Sequence, residues 1–395
     1  MSRMEKSDIQ SIANDFKDNL IKWRRDFHEH PEIGLDCTRT ASLVAEELKK
    51  LHYHVKTGYA RTGMIATIGQ GKPVIAMRID MDALPLEEKT GLAFSSKTKG
   101  LMHACGHDGH LALGLGVAHA MSLIMENING KFILIFQPGE EHPGGAEIMI
   151  KEGVLDGESP EIILGMHIFP SLPAGKIGLR YGVMTASDNE ITIEINGEGG
   201  HGAYPHLTRD PFPAAAALIS AIQTITSRDT SPLDSVVVSL GSIKGGESHN
   251  VIPESIVLKG TIRALNADVE ENVLCRLNSI ACGIEKAFQI KVKLNVTKCG
   301  PSMVCDERIT RLAEDSLSAY FGKEMIMKID EPSMGFDDFS FFSNIIPATY
   351  LRLGSYDCDK GYDQPLHTSR FDFNEDLLVK WLEALLVFLH SCYFK

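Results

Sequence analysis

The chain lacks any apolar run approaching the roughly 18 residues that a membrane-spanning helix needs. Met1 to Asp15 is polar and mixed in charge, with no apolar signal core. Basic residues are not in excess either: 39 Lys and Arg stand against 52 Asp and Glu, a net charge of −13. That balance argues against nucleic acid or an anionic membrane surface as a partner. Cysteine is sparse, and the residues at 37, 105, 275, 282, 299, 305, 358 and 392 show no zinc-ribbon spacing. A large chain of this composition normally keeps such thiols reduced and buried as small apolar residues, so a cytoplasmic protein is expected.

What is present fits a globular enzyme-sized chain. An apolar content of 44% and a charged content of 23% are ordinary. A length of 395 residues exceeds what one core usually organises, so two domains are expected. Helical apolar spacing covers 8–30 up to Pro31, a second helix is predicted from Thr38 to Leu51, and a third over 107–127. Strand-like runs lie at 63–69, 73–79, 131–136 and 161–165, and polar residues follow several of them directly. Helix and buried strand in alternation predict an α/β sheet covered on both faces, with its site at the carboxyl ends of the strands.

After about residue 182 the pattern becomes alternating, over 190–196, 235–241 and 255–263, with helical segments at 210–227 and 267–287. Alternation predicts strands with one face on helices and one face exposed, a compact antiparallel α+β unit. We place this inserted domain at 183–297, with 1–182 and 298–395 forming the discontinuous α/β domain. An open sheet of this kind also offers an edge for pairing with a second copy of the chain.

The densest chemistry lies in Leu101-Met-His-Ala-Cys105-Gly-His107-Asp-Gly-His110. Thiolate, imidazole and carboxylate are the ligand types of borderline divalent metals. Read alone, the segment fits either a metal site or a reactive or buried cysteine among incidental histidines. Glu140-Glu141 follows an apolar strand and a Pro-Gly turn; neighbouring residues point apart, so one carboxylate could ligate metal while the other acts as general base. His167 and His367 add two imidazoles, each of which would otherwise be a core or a loop histidine. In the inserted domain, Gly197-Glu-Gly-Gly-His201-Gly and the turn before Asn250 are glycine-rich, and Arg263 could grip a carboxylate through paired hydrogen bonds. Ordinary connections and a solvated arginine would explain these equally.

Five motifs in fixed order carry a resemblance that spans essentially the whole chain. They are Met77-Arg-Ile-Asp-Met-Asp-Ala-Leu-Pro85, Met102-His-Ala-Cys-Gly-His-Asp-Gly-His110, Phe136-Gln-Pro-Gly-Glu-Glu141, Gly199-Gly-His-Gly-Ala-Tyr-Pro-His206 and Leu366-His-Thr-Ser-Arg-Phe371. Together they resemble the M20 metallopeptidases, in the aminoacylase and hippurate hydrolase branch (subfamily D) that also holds plant indoleacetyl-amino-acid hydrolases. The resemblance implies a zinc-peptidase-like α/β catalytic domain with an inserted α+β lid that also makes a homodimer. It implies two divalent metal ions per subunit, manganese, zinc or similar, held by Cys105, His107, Glu141, His167 and His367, with Cys105 bridging. Glu140 would be the base that activates water, and His201 would reach the partner's site to stabilise the oxyanion. Asn250 and Arg263 would hold the substrate carboxylate. Where other branches have a histidine-x-aspartate pair this chain has Arg78-Ile-Asp80, so Arg78 is not a ligand and Asp80 supports the site from behind; His103 and His110 take supporting or structural roles. Gly139, His142 and the Phe-Asp of Met334-Gly-Phe-Asp-Asp-Phe339 depart from the commonest pattern.

The function expected on these grounds is metal-dependent hydrolysis of N-acyl-L-amino acids, acetyl or benzoyl in type, to a carboxylic acid and a free amino acid. The rivals are a dipeptidase or carboxypeptidase of the same family, a thiol hydrolase using Cys105, and a non-catalytic binding protein on this scaffold.

Overall fold

The computed structural model describes residues 6–125 and 128–394. The chain divides into two compact units, one of Met1–Gly182, Val304–Asp330 and Phe341–Lys395, the other of Val183–Met303 and Glu331–Ser340. Among the described residues no helix is long and apolar enough to cross a membrane.

The first unit opens with α1 (Lys6–Asp15), α2 (Lys17–Glu29) and α3 (Thr38–Lys50). The single helix expected over 8–30 is broken at Phe16, whose backbone leaves the helical region and whose ring packs 5.1 Å from that of His119. Next come β1 (His54–Tyr59), β2 (Gly63–Gln70), β3 (Val74–Asp80), α4 (His107–Ile124), β4 (Gly130–Gln137) and α5 (Gly145–Lys151). The helix expected over 107–127 is α4; residues 126 and 127 lie outside the described residues. β5 (Ile162–Pro173) and β6 (Ile177–Leu179) end this stretch.

The chain then passes through β7 (Gly182–Thr185), β8 (Asp188–Asn196), β9 (Gly200–His201), α6 (Pro211–Thr224) and β10 (Val236–Lys244). β11 (Val251–Ile252), β12 (Ser255–Ala264), α7 (Ala267–Phe288) and β13 (Lys291–Gly300) follow. The remaining elements are β14 (Met303–Cys305), α8 (Glu307–Phe321), β15 (Ile326–Lys328), α9 (Ser340–Ser343), β16 (Ala348–Tyr356) and α10 (Leu377–Tyr393).

Eight strands of the first unit form one mixed sheet in the order β1-β2-β4-β3-β5-β16-β6-β15. β3 runs parallel to β4 and β5, and β16 parallel to β5. β3 is buried at every position, as a strand covered on both faces must be, which explains its unbroken apolar run. α4 is buried around almost its whole circumference, and its glycines let it approach so closely. A Cβ at Gly114 would meet Ile79 Cγ1 at 2.9 Å, and one at Gly109 would meet Ile168 Cδ1 at 2.6 Å.

The sheet also opens the space for a site. β3 pairs with β5 only from Ile75 and Ile162 to Met77 and Leu164, whereas β16 accompanies β5 on to Phe169 and beyond. Past Met77 and Leu164 the two strands have no ladder between them, and the first turn of α4 bonds to both. His167 was expected where a strand stops; instead β5 continues to Pro173, because β16 keeps pairing with it, so His167 lies inside a strand.

The second unit is an antiparallel sheet, β10-β12-β8-β13, with α6 and α7 on one face. Ile191, Ile193 and Ile195 alternate into a core with Leu218, Ile222 and Leu277, while Glu190 and Asn196 stay exposed. The insertion read as 183–297 extends further here: β13 pairs on to Gly300 opposite Asp188, and 331–340 joins it. That segment is held by backbone bonds, Ser333 N–H to the Met184 carbonyl and Ala186 N–H to the Ser333 carbonyl.

A candidate metal centre in the first unit

Element ends and turns place most polar side chains of the centre, while His167 stands within β5. β3 ends in Asp80 and leads to Asp82; Gly106, with φ at +83°, turns the chain into α4 between Cys105 and His107. β4 ends at Gln137 and enters a tight turn. Gly139 sits there at φ +72°, and its carbonyl accepts the N–H groups of both Gly144 and Gly145. An alanine at 139 would be strained and would meet Leu35 Cδ2 at 2.6 Å, so the glycine that departs from the family pattern fits its turn. His367 also takes the left-handed conformation, φ +60°, with its N–H donating to the Ala104 carbonyl at 2.9 Å. For a histidine that conformation is strained, and strain of this kind collects where side chains must be aimed.

Two groups of donor atoms meet at one sulfur. Cys105 Sγ lies 3.2 Å from His167 Nε2 and 3.3 Å from His367 Nε2. Cys105, His107 and His167 form one group of donors within 4.8 Å of one another, and Cys105, Glu141 and His367 form a second. His367 Nε2 stands 3.1 Å from Glu141 Oε1. His107 Nε2 is 3.9 Å from Glu140 Oε2, and these two with Glu141 make a further group.

The imidazoles are held in the form a cation needs. His107 Nδ1 donates to the Asp82 carbonyl at 2.8 Å, and His167 Nδ1 to the Ile168 carbonyl at 2.6 Å. A carbonyl only accepts, so each ring presents a bare Nε2 toward Cys105 and the carboxylates. His107 Nε2 is buried with no hydrogen-bond partner, which is costly unless a cation takes the lone pair. Burial, helped by the charges of neighbouring histidines, lowers the pKa of His167 well below its ordinary value, and burial lowers that of His107. Glu141 is held below the usual carboxylate range by His367 and His107 against its burial, and the bond to Glu141 raises His367. Bare imidazoles, a thiol and carboxylates at these spacings fit one or two borderline divalent cations.

Asp80, expected behind the ligands, is 1% exposed and fully bonded: Oδ1 accepts from His110 Nδ1 and Oδ2 from Arg78 Nη1, both at 2.5 Å. Burial would raise its pKa, but His107, His110 and Arg78 hold it well below the ordinary value. Arg78 is buried and also donates from Nε to Gln137 Oε1 at 2.8 Å, so it locks the ends of β3 and β4 together. Asp82 was overlooked in the sequence although it stands in the same motif. Its carboxylate accepts the N–H groups of Glu140 and Glu141 at 2.9 and 3.2 Å.

The other expected residues stand in the second unit. His201 and Val251 are register partners of β9 and β11, and the Gly202 N–H donates to the Asn250 carbonyl at 2.8 Å; His201 and Asn250 are both exposed. His201 Nδ1 accepts from the Ala203 N–H at 3.0 Å, leaving Nε2 on the outer side of the ring, and Asn250 Oδ1 accepts from Ser248 Oγ at 2.8 Å. Arg263 lies apart on β12, where Nη2 pairs with Asp188 Oδ2 at 3.1 Å.

Comparison with known proteins identifies the family. Residues 76–391 match the profile of Peptidase family M20/M25/M40. The chain is 36% identical to hippurate hydrolase of Campylobacter jejuni, over 93% of this chain and 94% of that one. It is 37% identical to thermostable carboxypeptidase 1 of Saccharolobus solfataricus, over 94% and 95%. Among solved structures, the Bacillus subtilis YXEP protein, a dinuclear metal binding peptidase of the M20 family, superposes with a TM-score of 0.81. It is 30% identical to this chain and covers 96% of it and 98% of its own length. The chain therefore belongs to Peptidase family M20/M25/M40, and it is a hydrolase of that family.

Proposed function

We propose that this enzyme is a metal-dependent amidohydrolase that cleaves N-acyl-L-amino acids to a carboxylic acid and a free amino acid. The observation that carries the reading is the meeting of two donor groups at Cys105 Sγ, with Glu140 3.9 Å from the bare His107 Nε2. Cys105, His107 and His167 would hold one divalent cation, and Cys105, Glu141 and His367 the other. When bound, such cations polarise an acyl carbonyl and make water acidic.

Glu140 is then the group that moves protons. Its carboxylate takes a proton from the attacking water and delivers it to the amine nitrogen as the amide C–N bond breaks. Asp82 fixes the turn that aims it. In the second unit, the free side of His201 supports a role as hydrogen-bond donor to the oxyanion, and the exposed Asn250 a role as a holder of the substrate carboxylate. Arg263, expected to share that role, stands apart from Asn250 with its guanidinium paired to Asp188. The reading includes a homodimer through the second unit, with His201 of the partner subunit serving each site. The same reading places the enzyme in the cytoplasm, a reducing setting that suits cysteines scattered without a disulfide-type spacing.

Burial and the Glu141 and Glu140 carboxylates push the Cys105 thiol well above its ordinary pKa, the reverse of an activated nucleophile. A neighbouring cation would turn the same thiol into a ligand. A second reading, carboxypeptidase action with the same proton chemistry, is supported by the Saccharolobus relative. Assaying N-acetyl-amino acids, hippurate and dipeptides side by side with added Mn²⁺ separates the two. Faster turnover of the acylated substrates supports the first reading, and turnover of peptides alone overturns it.

A further inference from the structure

The crevice between β3 and β5 is bridged by one side chain. His110, in the first turn of α4, is completely buried. Its Nε2 accepts the backbone N–H of Ile168 at 2.9 Å, and its Nδ1 donates to Asp80 Oδ1 at 2.5 Å. Accepting at Nε2 requires the proton on Nδ1, so both ring nitrogens are committed and neither is left for a cation. His110 thus supplies, between the ends of two diverging strands, the link that the ladder stops providing after Met77 and Leu164.

Ile168 is where this link acts on the centre. Its N–H is taken by His110, and its carbonyl accepts the proton of His167 Nδ1 at 2.6 Å. The two groups flank one residue, so the bond at its N–H fixes the orientation of the backbone that directs the His167 ring. On the other side, Asp80 is itself immobilised by Arg78, which is anchored on Gln137. A continuous chain of bonds therefore runs from β4 through Arg78, Asp80, His110 and Ile168 to His167, whose Nε2 points at Cys105 Sγ.

We propose that His110 is a positioning residue that sets the direction of His167, and so the affinity of the cation held by Cys105, His107 and His167 but not of the one held with Glu141 and His367. The inference rests on the metal reading above. Outer bonds of this kind are worth about 10–100-fold in metal affinity in other metal sites. His110 and His107 stack with centroids 5.3 Å apart, so a variant must keep volume as well as remove the bond.

The test uses His110→Gln, His110→Ala and Asp80→Asn, with two readouts. The first is Zn²⁺ affinity of each site by competition with a chromophoric chelator, against wild type. His110→Ala and Asp80→Asn are expected to weaken one of two bound ions by about 10–100-fold and leave the other unchanged. His110→Gln, whose amide oxygen can still accept from Ile168 N–H, is expected to recover part of the loss. The second readout is hydrogen exchange of the Ile168 amide in metal-free protein, expected to speed up in His110→Ala and to stay slow in His110→Gln. Equal weakening of both ions, or wild-type affinity in His110→Ala and Asp80→Asn with unchanged Ile168 exchange, overturns the positioning role. Wild type that binds no Zn²⁺ overturns the metal reading instead. Should His110→Ala fail to fold, Asp80→Asn and His110→Gln still decide the matter.

Discussion

Asp82 holds Glu140 by its backbone: Oδ1 accepts the Glu140 N–H at 2.9 Å while Oδ2 accepts that of Glu141 at 3.2 Å. The same residue's carbonyl accepts from His107 Nδ1. One buried aspartate thus ties Glu140, Glu141 and His107 to one another. Burial pushes its carboxyl well above the ordinary range, against the pull of the two N–H donors. Asp82→Asn can accept only one of the two N–H groups and places an NH₂ against the other. It is expected to fold, to keep KM within a few-fold and to lose about 10–100-fold in kcat. Wild-type kcat would remove Asp82 from the account.

Sharing of Cys105 between two donor groups gives an asymmetric prediction. Cys105→Ala is expected to abolish stoichiometric binding of both cations, whereas His367→Ala is expected to retain the ion held by Cys105, His107 and His167. Metal content by elemental analysis after gel filtration decides this. Retention of two tightly bound ions in Cys105→Ala contradicts the bridging assignment.

If Glu140 carries the proton as proposed, Glu140→Gln removes that carrier without changing the donors Cys105, His107, Glu141, His167 and His367. It is expected to fold, to bind metal as wild type does and to lose about 10²–10⁴-fold in kcat. Turnover at the wild-type rate excludes Glu140 as the base.

Away from the centre, a buried charge network ties α2 to α4. Arg24 donates from Nε to Asp108 Oδ2 at 2.9 Å, and His28 Nδ1 donates to the same oxygen at 2.8 Å. Burial opposes the His28 charge, but Asp108 and Glu88 outweigh it and raise its pKa from 6.5 to about 9. Glu88, opposed by burial but bonded to His28 and Thr90, is lowered from 4.5 to about 2. The raised His28 stabilises the fold fully below pH 6.5 and loses that contribution as pH rises through about 9. The lowered Glu88 contributes above pH 4.5 and loses it as pH falls toward about 2. The gap in Tm between wild type and His28→Gln is therefore expected to be widest near about pH 6 and to shrink by about pH 9.5. A gap constant over that range contradicts the charge assignment.

Much of this was legible in the sequence because strand ends and glycine turns are written locally. The apolar run ending at Asp80 and the Pro-Gly turn before Glu140 give the α/β reading and the neighbourhood of the centre. What periodicity could not reveal was set by pairing across the sheet. β16 extends β5 through His167, and the break between β3 and β5 depends on residues far apart in the chain. The supporting bonds were hidden for the same reason. Asp82 acts on Glu140 and Glu141, and His110 acts on Ile168, each across 58 or more positions of sequence.

The central claim is that amide hydrolysis depends on divalent cations at the Cys105 centre. Its most direct measurement is hippurate or N-acetyl-amino-acid hydrolysis by one sample, before EDTA, after EDTA with metal content determined, and after Mn²⁺ or Zn²⁺ is restored. The account predicts that turnover falls at least about 100-fold with the loss of metal and returns when the cation is added back. Full turnover by protein shown to carry no divalent metal would contradict it.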